Sequence, residues 1–221
     1  MGEITLAYLK AVPEVQVYVK CADRNMEIIG YTEHGFRHAD IVAERARYLL
    51  RELDYEERAC EVAAIAAYLH DIGNVANRVN HAATSVLLAH NLLQRLGMPP
   101  EELVEVLAGV GNHEEEFSEP FGPVAAAVTI ADKSDVNRSR VRNPDQCGFD
   151  PHDRINWAAV SSDLVVDRHK RIIALQLDID TAIGSIMEYF ELFLVRMVAS
   201  RRAAEYLGCR FSLVINGTSL L

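Results

Sequence analysis

Residues 54–74, DYEERACEVAAIAAYLHDIGN, decide how this chain folds. Asp54, followed three residues later by Glu57, is a capping-box variant that opens a helix. The helix is expected to run to His70, with Gly73 close behind at the kind of position where helices stop. The adjacent His70 and Asp71 therefore fall at a helix terminus. From there an imidazole and a carboxylate can be directed into a pocket between packed helices.

Outward from this stretch the chain reads as helix after helix. Pro13 starts a helix to about Ile28 that Gly30 stops. Thr32 is a candidate N-cap for a helix through Leu53, with Ile41, Ala46, Leu49 and Leu50 facing inward. Asn80 caps a helix from His81 to about Leu96, and Gly97-Met98-Pro99-Pro100 forms a turn. Further helices are expected from Glu101 to about Val110, broken at Gly111-Asn112, and from Pro123 to about Arg138. Near Val141 the pattern changes. Asn143 to Gly148 reads as a connector, and two β-rich runs, Trp157 to Val166 and Arg171 to Leu177, read as an antiparallel hairpin. A long helix from Asp180 to Leu207 should end at Gly208, followed by a strand from Phe211 to Ile215. The expected fold is mainly α: a helical domain over 1–143, then a small α+β unit over 144–221. Met187, Phe190, Phe193 and Met197 of its helix should pack on its own sheet.

At 221 residues and 50% hydrophobic, the chain can bury a sizeable core. Its formal net charge of -10 argues against wrapping a nucleic-acid backbone, which needs a basic footprint. A small phosphorylated molecule remains compatible, because bound cations reverse a local field. Cys21, Cys60, Cys147 and Cys209 form no CxxC pair, so reduced thiols in a cytoplasmic protein are expected. No secretory leader or myristoylation signal is expected at the start. The most apolar stretch, Ile183 to Val198, contains Glu188, Glu191 and Arg196, which fits a buried amphipathic helix and not a membrane span.

Of the eight histidines, His34, His38, His70, His81 and His113 stand out within the helical part, and Asp71 and Asp132 join them by position. Imidazole nitrogen and carboxylate oxygen without thiolate suit a divalent cation such as iron, manganese, cobalt or nickel. One bridging carboxylate would hold two cations close together, and two metals can clamp a phosphate. A lone histidine in a helical protein is more often a surface or hydrogen-bonded core residue than a ligand. His90, His152 and His169 are assigned to that ordinary class. His34 lies four residues before His38 on the same helix face, as a ligand, a substrate contact or simply a neighbour.

The order His38, Leu69-His70-Asp71-Ile72-Gly73, then Ile130-Ala131-Asp132-Lys133 resembles the H…HD…D signature of the HD superfamily of metal-dependent phosphohydrolases. The likeness covers roughly Thr32 to Arg142 and implies an HD-type helical domain. It implies His38, His70, Asp71 and Asp132 as core metal ligands, with Asp71 as the bridge. His81 and His113 resemble the extra histidines of binuclear branches, including the HD-GYP phosphodiesterases and HD-type diadenosine tetraphosphate hydrolases. Two ions are thus implied, iron or manganese first, with cobalt, nickel or magnesium also compatible. Three departures stand out. Asn112 replaces the first histidine of the HHE element, Glu116 to Pro120 replaces the GYP element, and Asn74 stands where many relatives have a substrate-contacting lysine.

The implied chemistry is hydrolysis of a phosphoester or phosphoanhydride, commonly of a nucleotide, by a metal-activated hydroxide. Candidate phosphate contacts are Lys133 and Arg138, in the basic run after Asp132, and Arg37 beside His38. Asp135 is a candidate proton relay or orienter of a ligand. Rival readings are a catalytically silent, metal-containing HD sensor or scaffold module and a nucleic-acid processing enzyme. The C-terminal unit is a candidate lid, regulatory annex or homodimer face.

Overall fold

A computed structural model of the chain describes residues 3–114, 119–142 and 151–220. The segment expected to replace the GYP element falls mostly outside these residues, as do the connector and Cys147. Seven helices build the first part: α1 (Leu6–Ala11), α2 (Pro13–Ile28), α3 (Phe36–Glu52), α4 (Glu57–Leu69), α5 (His81–Leu96), α6 (Pro100–Gly111) and α7 (Pro123–Ser134).

The helix of the opening stretch is the hub of this part. Along α4 every residue from Val62 to Leu69 is buried, and Ala63, Ala64, Ala66 and Ala67 keep its girth small. Small side chains shorten the distance at which helices can pack, so α3, α6 and α7 close directly around it. The second such helix is α7, buried from Val124 to Ser134 and likewise rich in alanine. These two buried helices end side by side, one carrying His70-Asp71 and the other Asp132.

Several helix ends differ from the sequence pattern for identifiable reasons. Thr32 does not cap α3. The Glu33 carboxylate accepts from Gly35 N–H at 2.7 Å, and Gly35 is the cap residue. Asp54 does not open α4, because its backbone is left-handed at φ 64° and its side chain pairs with Arg168. Asn80 does precede α5, but in a left-handed conformation with no side-chain cap. Helix α7 stops at Ser134, four residues early, and Arg138 lies on a separate 3-10 turn, Arg138–Arg140.

In the last part, α8 (Pro151–Ala158) runs straight into β1 (Ala159–Asp167), so Trp157 is helical and not in a strand. Strand β1 pairs antiparallel with β2 (Ile172–Ile179), as the hairpin pattern required. Helix α9 (Ile186–Tyr206) then crosses over to β3 (Arg210–Ile215), which lies parallel to β2, and β4 (Thr218–Ser219) closes the order β1-β2-β3-β4. Helix α9 starts at a capping box between Ser185 and Glu188, not at Asp180. It packs on α7 as well as on β3, with Phe193 and Met197 buried and Met187 left exposed. One continuous apolar core runs from α1 through α4 and α7 into β2, α9 and β3. No helix among the described residues is long and apolar enough to cross a membrane. Cys21, Cys60 and Cys209 are free.

Gly73 sets how closely α5 approaches the end of α4. A Cβ built there would lie 2.1 Å from the His81 carbonyl oxygen and 2.5 Å from the Ser85 amide nitrogen, and Gly73 N–H already donates to Ser85 Oγ at 2.7 Å. Backbone cannot give way as a flexible side chain can. Gly73→Ala should therefore cost about 1–3 kcal/mol of stability, read as a lower urea midpoint. A midpoint equal to wild type would contradict this tight approach.

Candidate metal centre

Five helix ends converge on one point. The first turn of α3 supplies His38, and the end of α4 supplies His70 and Asp71. The first residue of α5 is His81, His113 follows α6, and the last turn of α7 carries Asp132. All six side chains are buried.

Each imidazole is turned the same way by a hydrogen bond at Nδ1. His38 Nδ1 donates to Asp135 Oδ2 at 2.7 Å and His70 Nδ1 to the Ala67 carbonyl at 2.6 Å. His81 Nδ1 faces the Arg78 carbonyl and the Glu114 carboxylate, both at 3.0 Å, and His113 Nδ1 faces the Val110 carbonyl at 2.7 Å. Since these partners only accept, the protons sit on Nδ1 and the Nε2 lone pairs point inward.

The lone pairs meet carboxylate oxygens, which are acceptors too. Asp71 Oδ2 lies 3.3 Å from His70 Nε2 and 3.9 Å from His38 Nε2, while Asp132 Oδ1 lies 3.7 Å and 3.3 Å from the same two atoms. On the other side, Asp71 Oδ1 lies 3.1 Å from His81 Nε2 and 3.8 Å from His113 Nε2, and those nitrogens are 2.9 Å apart. The Nε2 atoms of His38 and His70 are buried without a hydrogen-bond partner. Acceptors facing acceptors at these distances require positive charge between them. His38, His70 and Asp132 form one group able to hold a metal ion, and His70, Asp71 and His113 form another.

The ionisation balance agrees. Burial opposes charge on His70, but Asp71 and Asp132 outweigh it and push its pKa up to about 10. Burial also opposes charge on Asp71 and Asp132. It is overcome by His70 and His81 beside Asp71, and by Lys133, His38 and His70 around Asp132, so both carboxyls stay well below the usual range. Without another cation the site recruits a proton to His70.

The other expected site residues divide into two sets. Lys133 holds Asp132 Oδ2 at 2.7 Å and lines the cavity over the centre. His34 also lines it, its Nδ1 tied to the Thr32 carbonyl at 2.6 Å, and burial and Arg140 push its pKa down so that the ring is neutral. Asp135, Arg37 and Arg138 do not line it. Asp135 is wholly buried beneath His38, where its carboxylate accepts from Nδ1 and can orient the ring. Arg37 is spent on Asp135 at 2.7 Å and Glu33 at 3.0 Å, and Arg138 lies over the Trp157 ring. Asn74 donates to the Asp71 carboxylate at 3.0 Å, and Asn112 binds the Ala108 carbonyl at the end of α6.

The sequence pattern missed Arg78, Arg140 and Arg196, which line this cavity. Arg140 was within reach: it lies in the same basic run, but the early end of α7 puts it, and not Arg138, inside. The cavity, about 30 Å³, borders a cleft of about 270 Å³ with which it shares His34, Arg78, Arg140 and Arg196. His152, assigned to the ordinary class, also lines that cleft.

Residues 35–137 match the family model described as HD domain. An uncharacterized protein of Methanocaldococcus jannaschii is 28% identical, with 52% of this chain and 52% of that protein covered, so the chain spans about half the length of the curated relative it matches. A crystal structure described as a predicted HD superfamily hydrolase, from an uncultured Thermotogales bacterium, aligns at 22% identity with a TM-score of 0.46. It covers 57% of this chain and 68% of that one. The matched residues include His38, His70, Asp71, His81, His113 and Asp132, and they end before Arg138, Arg140 and the whole of α8 and α9.

His70 makes the metal-free protein sensitive to alkali. Its pKa is raised on folding, so its contribution is complete below the unfolded value near 6.5 and is lost as pH rises through about 10. In chelator-treated protein the urea midpoint should fall from pH 6.5 to pH 9.5, more in wild type than in His70→Asn. An equal fall in both would show that His70 carries no such charge.

Proposed function

We propose that this chain, whose residues 35–137 match the HD domain model, acts as a metal-dependent phosphohydrolase of the HD superfamily and hydrolyses a phosphoester or phosphoanhydride of a small phosphorylated metabolite, of nucleotide type, using two divalent cations. The observation that carries the proposal is the Asp71 carboxylate, with one oxygen toward His38 and His70 and the other toward His81 and His113. Nitrogen and oxygen donors without sulfur favour iron or manganese. His38, His70, Asp71 and Asp132 would hold one cation, and His81, His113 and Asp71 the other. Bound there, the cations would supply Lewis acidity at the phosphoryl oxygens and lower the pKa of the attacking water.

The residues around the centre then take distinct tasks. Asp135 and the carbonyls of Ala67, Arg78 and Val110 keep the imidazoles in the tautomer that leaves Nε2 an acceptor. Asn74 fixes the Asp71 carboxylate and Lys133 fixes that of Asp132. Arg78, Lys133, Arg140 and Arg196 line the cavity against Asp71, Glu114 and Asp132. Within a chain of net charge -10 they concentrate positive potential where the anionic substrate enters. In the reaction a water oxygen bonds to phosphorus as the bond to the leaving oxygen breaks, and the leaving group departs with the proton given up by water.

Elemental analysis of the purified chain should find about two transition-metal equivalents, and Asp71→Ala should lose both. With manganese or iron added under reducing conditions, a panel of phosphorylated metabolites should release phosphate. Asp71→Ala should lower that rate by about 10²–10³-fold or more. A chain that cannot be loaded with metal contradicts the reading. Full loading with no turnover of any member would favour the silent sensor instead.

A further inference from the structure

The cleft beside the metal centre has a wall that the HD match does not cover. It shares His34, Arg78, Arg140 and Arg196 with the cavity over the centre, and Tyr31, His152, Asp153 and Asn156 also line it. Arg196 belongs to α9, and His152, Asp153 and Asn156 belong to α8. The wall is fixed in place. Arg154 of α8 pairs with Glu188 of α9, and Arg138 lies over Trp157 with 5.4 Å to the ring centre. Ile155 is wholly buried, and a Cβ on Gly184 would come within 2.7 Å of its Cδ1.

Asn156 is the informative residue in this wall. It is 4% exposed, and its Nδ2 donates to the His152 carbonyl at 2.8 Å. That bond settles which way the amide points, because the flipped amide would set oxygen against oxygen. Oδ1 is then left buried with no partner among the described residues, in a residue that lines the cleft. Buried acceptors in folded proteins nearly always have a donor, and one unmatched beside a cleft asks for a donor from outside the chain, a water or a ligand group.

The two kinds of lining residue thus ask for different chemistry. The arginines suit an anionic group, with Arg196 also stacked on Phe193 at 4.4 Å. Asn156 suits an N–H or O–H donor. A cleft of about 270 Å³ sits just under the roughly 300 Å³ at which small-molecule sites begin, which suits a single phosphorylated sugar or nucleoside and is too small for a dinucleotide.

We propose that α8 and α9 form the recognition wall for the non-reacting part of the substrate, with Arg196 placed for its anionic group and Asn156 Oδ1 accepting a hydrogen bond from a hydroxyl, amino or amide group. The proposal rests on the reading that the reacting phosphate lies over the His–Asp centre. It makes Asn156 a specificity-determining residue. A phosphate ester with an apolar remainder leaves its oxygen unmatched.

Calorimetric binding to the metal-free full chain, where nothing turns over, tests this. The probes are phenyl phosphate, which has no donor beyond its phosphate, and ribose 5-phosphate, AMP and GMP, which do. At least one donor-bearing probe should bind about 10-fold or more tightly than phenyl phosphate. Asn156→Ala should erase that preference while leaving phenyl phosphate within about twofold, and Arg196→Gln should weaken all probes together. No preference in wild type overturns the proposal, and that comparison stands even if a variant fails to fold. So does an equal loss for all probes in Asn156→Ala, which would mark a structural role. A preserved preference in a chain that binds no metal and releases no phosphate would instead sink the hydrolase reading alone.

Discussion

A buried carboxylate between two pairs of inward-facing imidazole lone pairs is the constraint around which this protein is arranged. Asp71 cannot be placed there unless α4 is buried along its length, and alanine-rich α4 meets that need by letting three helices close around it. Nor can the lone pairs face it unless every Nδ1 is tied elsewhere. Three backbone carbonyls and the Asp135 carboxylate do this. The arrangement works against stability until a cation arrives, since acceptors crowd acceptors in a region of low dielectric. Stability is spent here on a site.

A second layer of charge holds the first. Burial raises the cost of the Asp135 charge, yet His38, Arg140 and Arg37 keep its carboxyl far below the usual range. Arg140 in turn donates to the carbonyls of Glu33 and Asp135, which ties the turn before α3 to the end of α7. The residues that orient His38 therefore also fix the two helices that bring His38 and Asp132 together. The same Arg140 reaches the cavity, so the positive charge offered to an anion is part of the scaffold and not a mobile surface side chain.

Much of the helical part was legible in the sequence because its signals are local: Pro13, the Gly97 turn and the apolar spacing of α3 each act within a few residues. Helix ends were less legible where the decisive contact is distant. Asp54 looks like a cap but pairs with Arg168 across the fold, and Asp135 leaves the helical path to reach His38. Helix termini suggested that His70, Asp71, His81 and His113 could converge, but spacing alone left the histidines open, and it was the family resemblance that joined them to His38 and Asp132. Arg140 lay in the basic run after Asp132, but nothing local set it apart from Arg138, and Asn156 carried no signal of its own. Each owes its position to where a short turn or helix is set down on another part of the chain. The role of the C-terminal part was also hidden, because Arg196 is one charge on an otherwise ordinary amphipathic helix.

Anomalous diffraction from crystals of the manganese-loaded protein tests the central claim most directly. The account predicts two manganese peaks, one on each side of the Asp71 carboxylate, the first against His38, His70 and Asp132 and the second against His81 and His113. A single peak on one side would leave the bridging role of Asp71 without support. Manganese bound elsewhere, with the six side chains unchanged and no peak between them, would contradict the account outright.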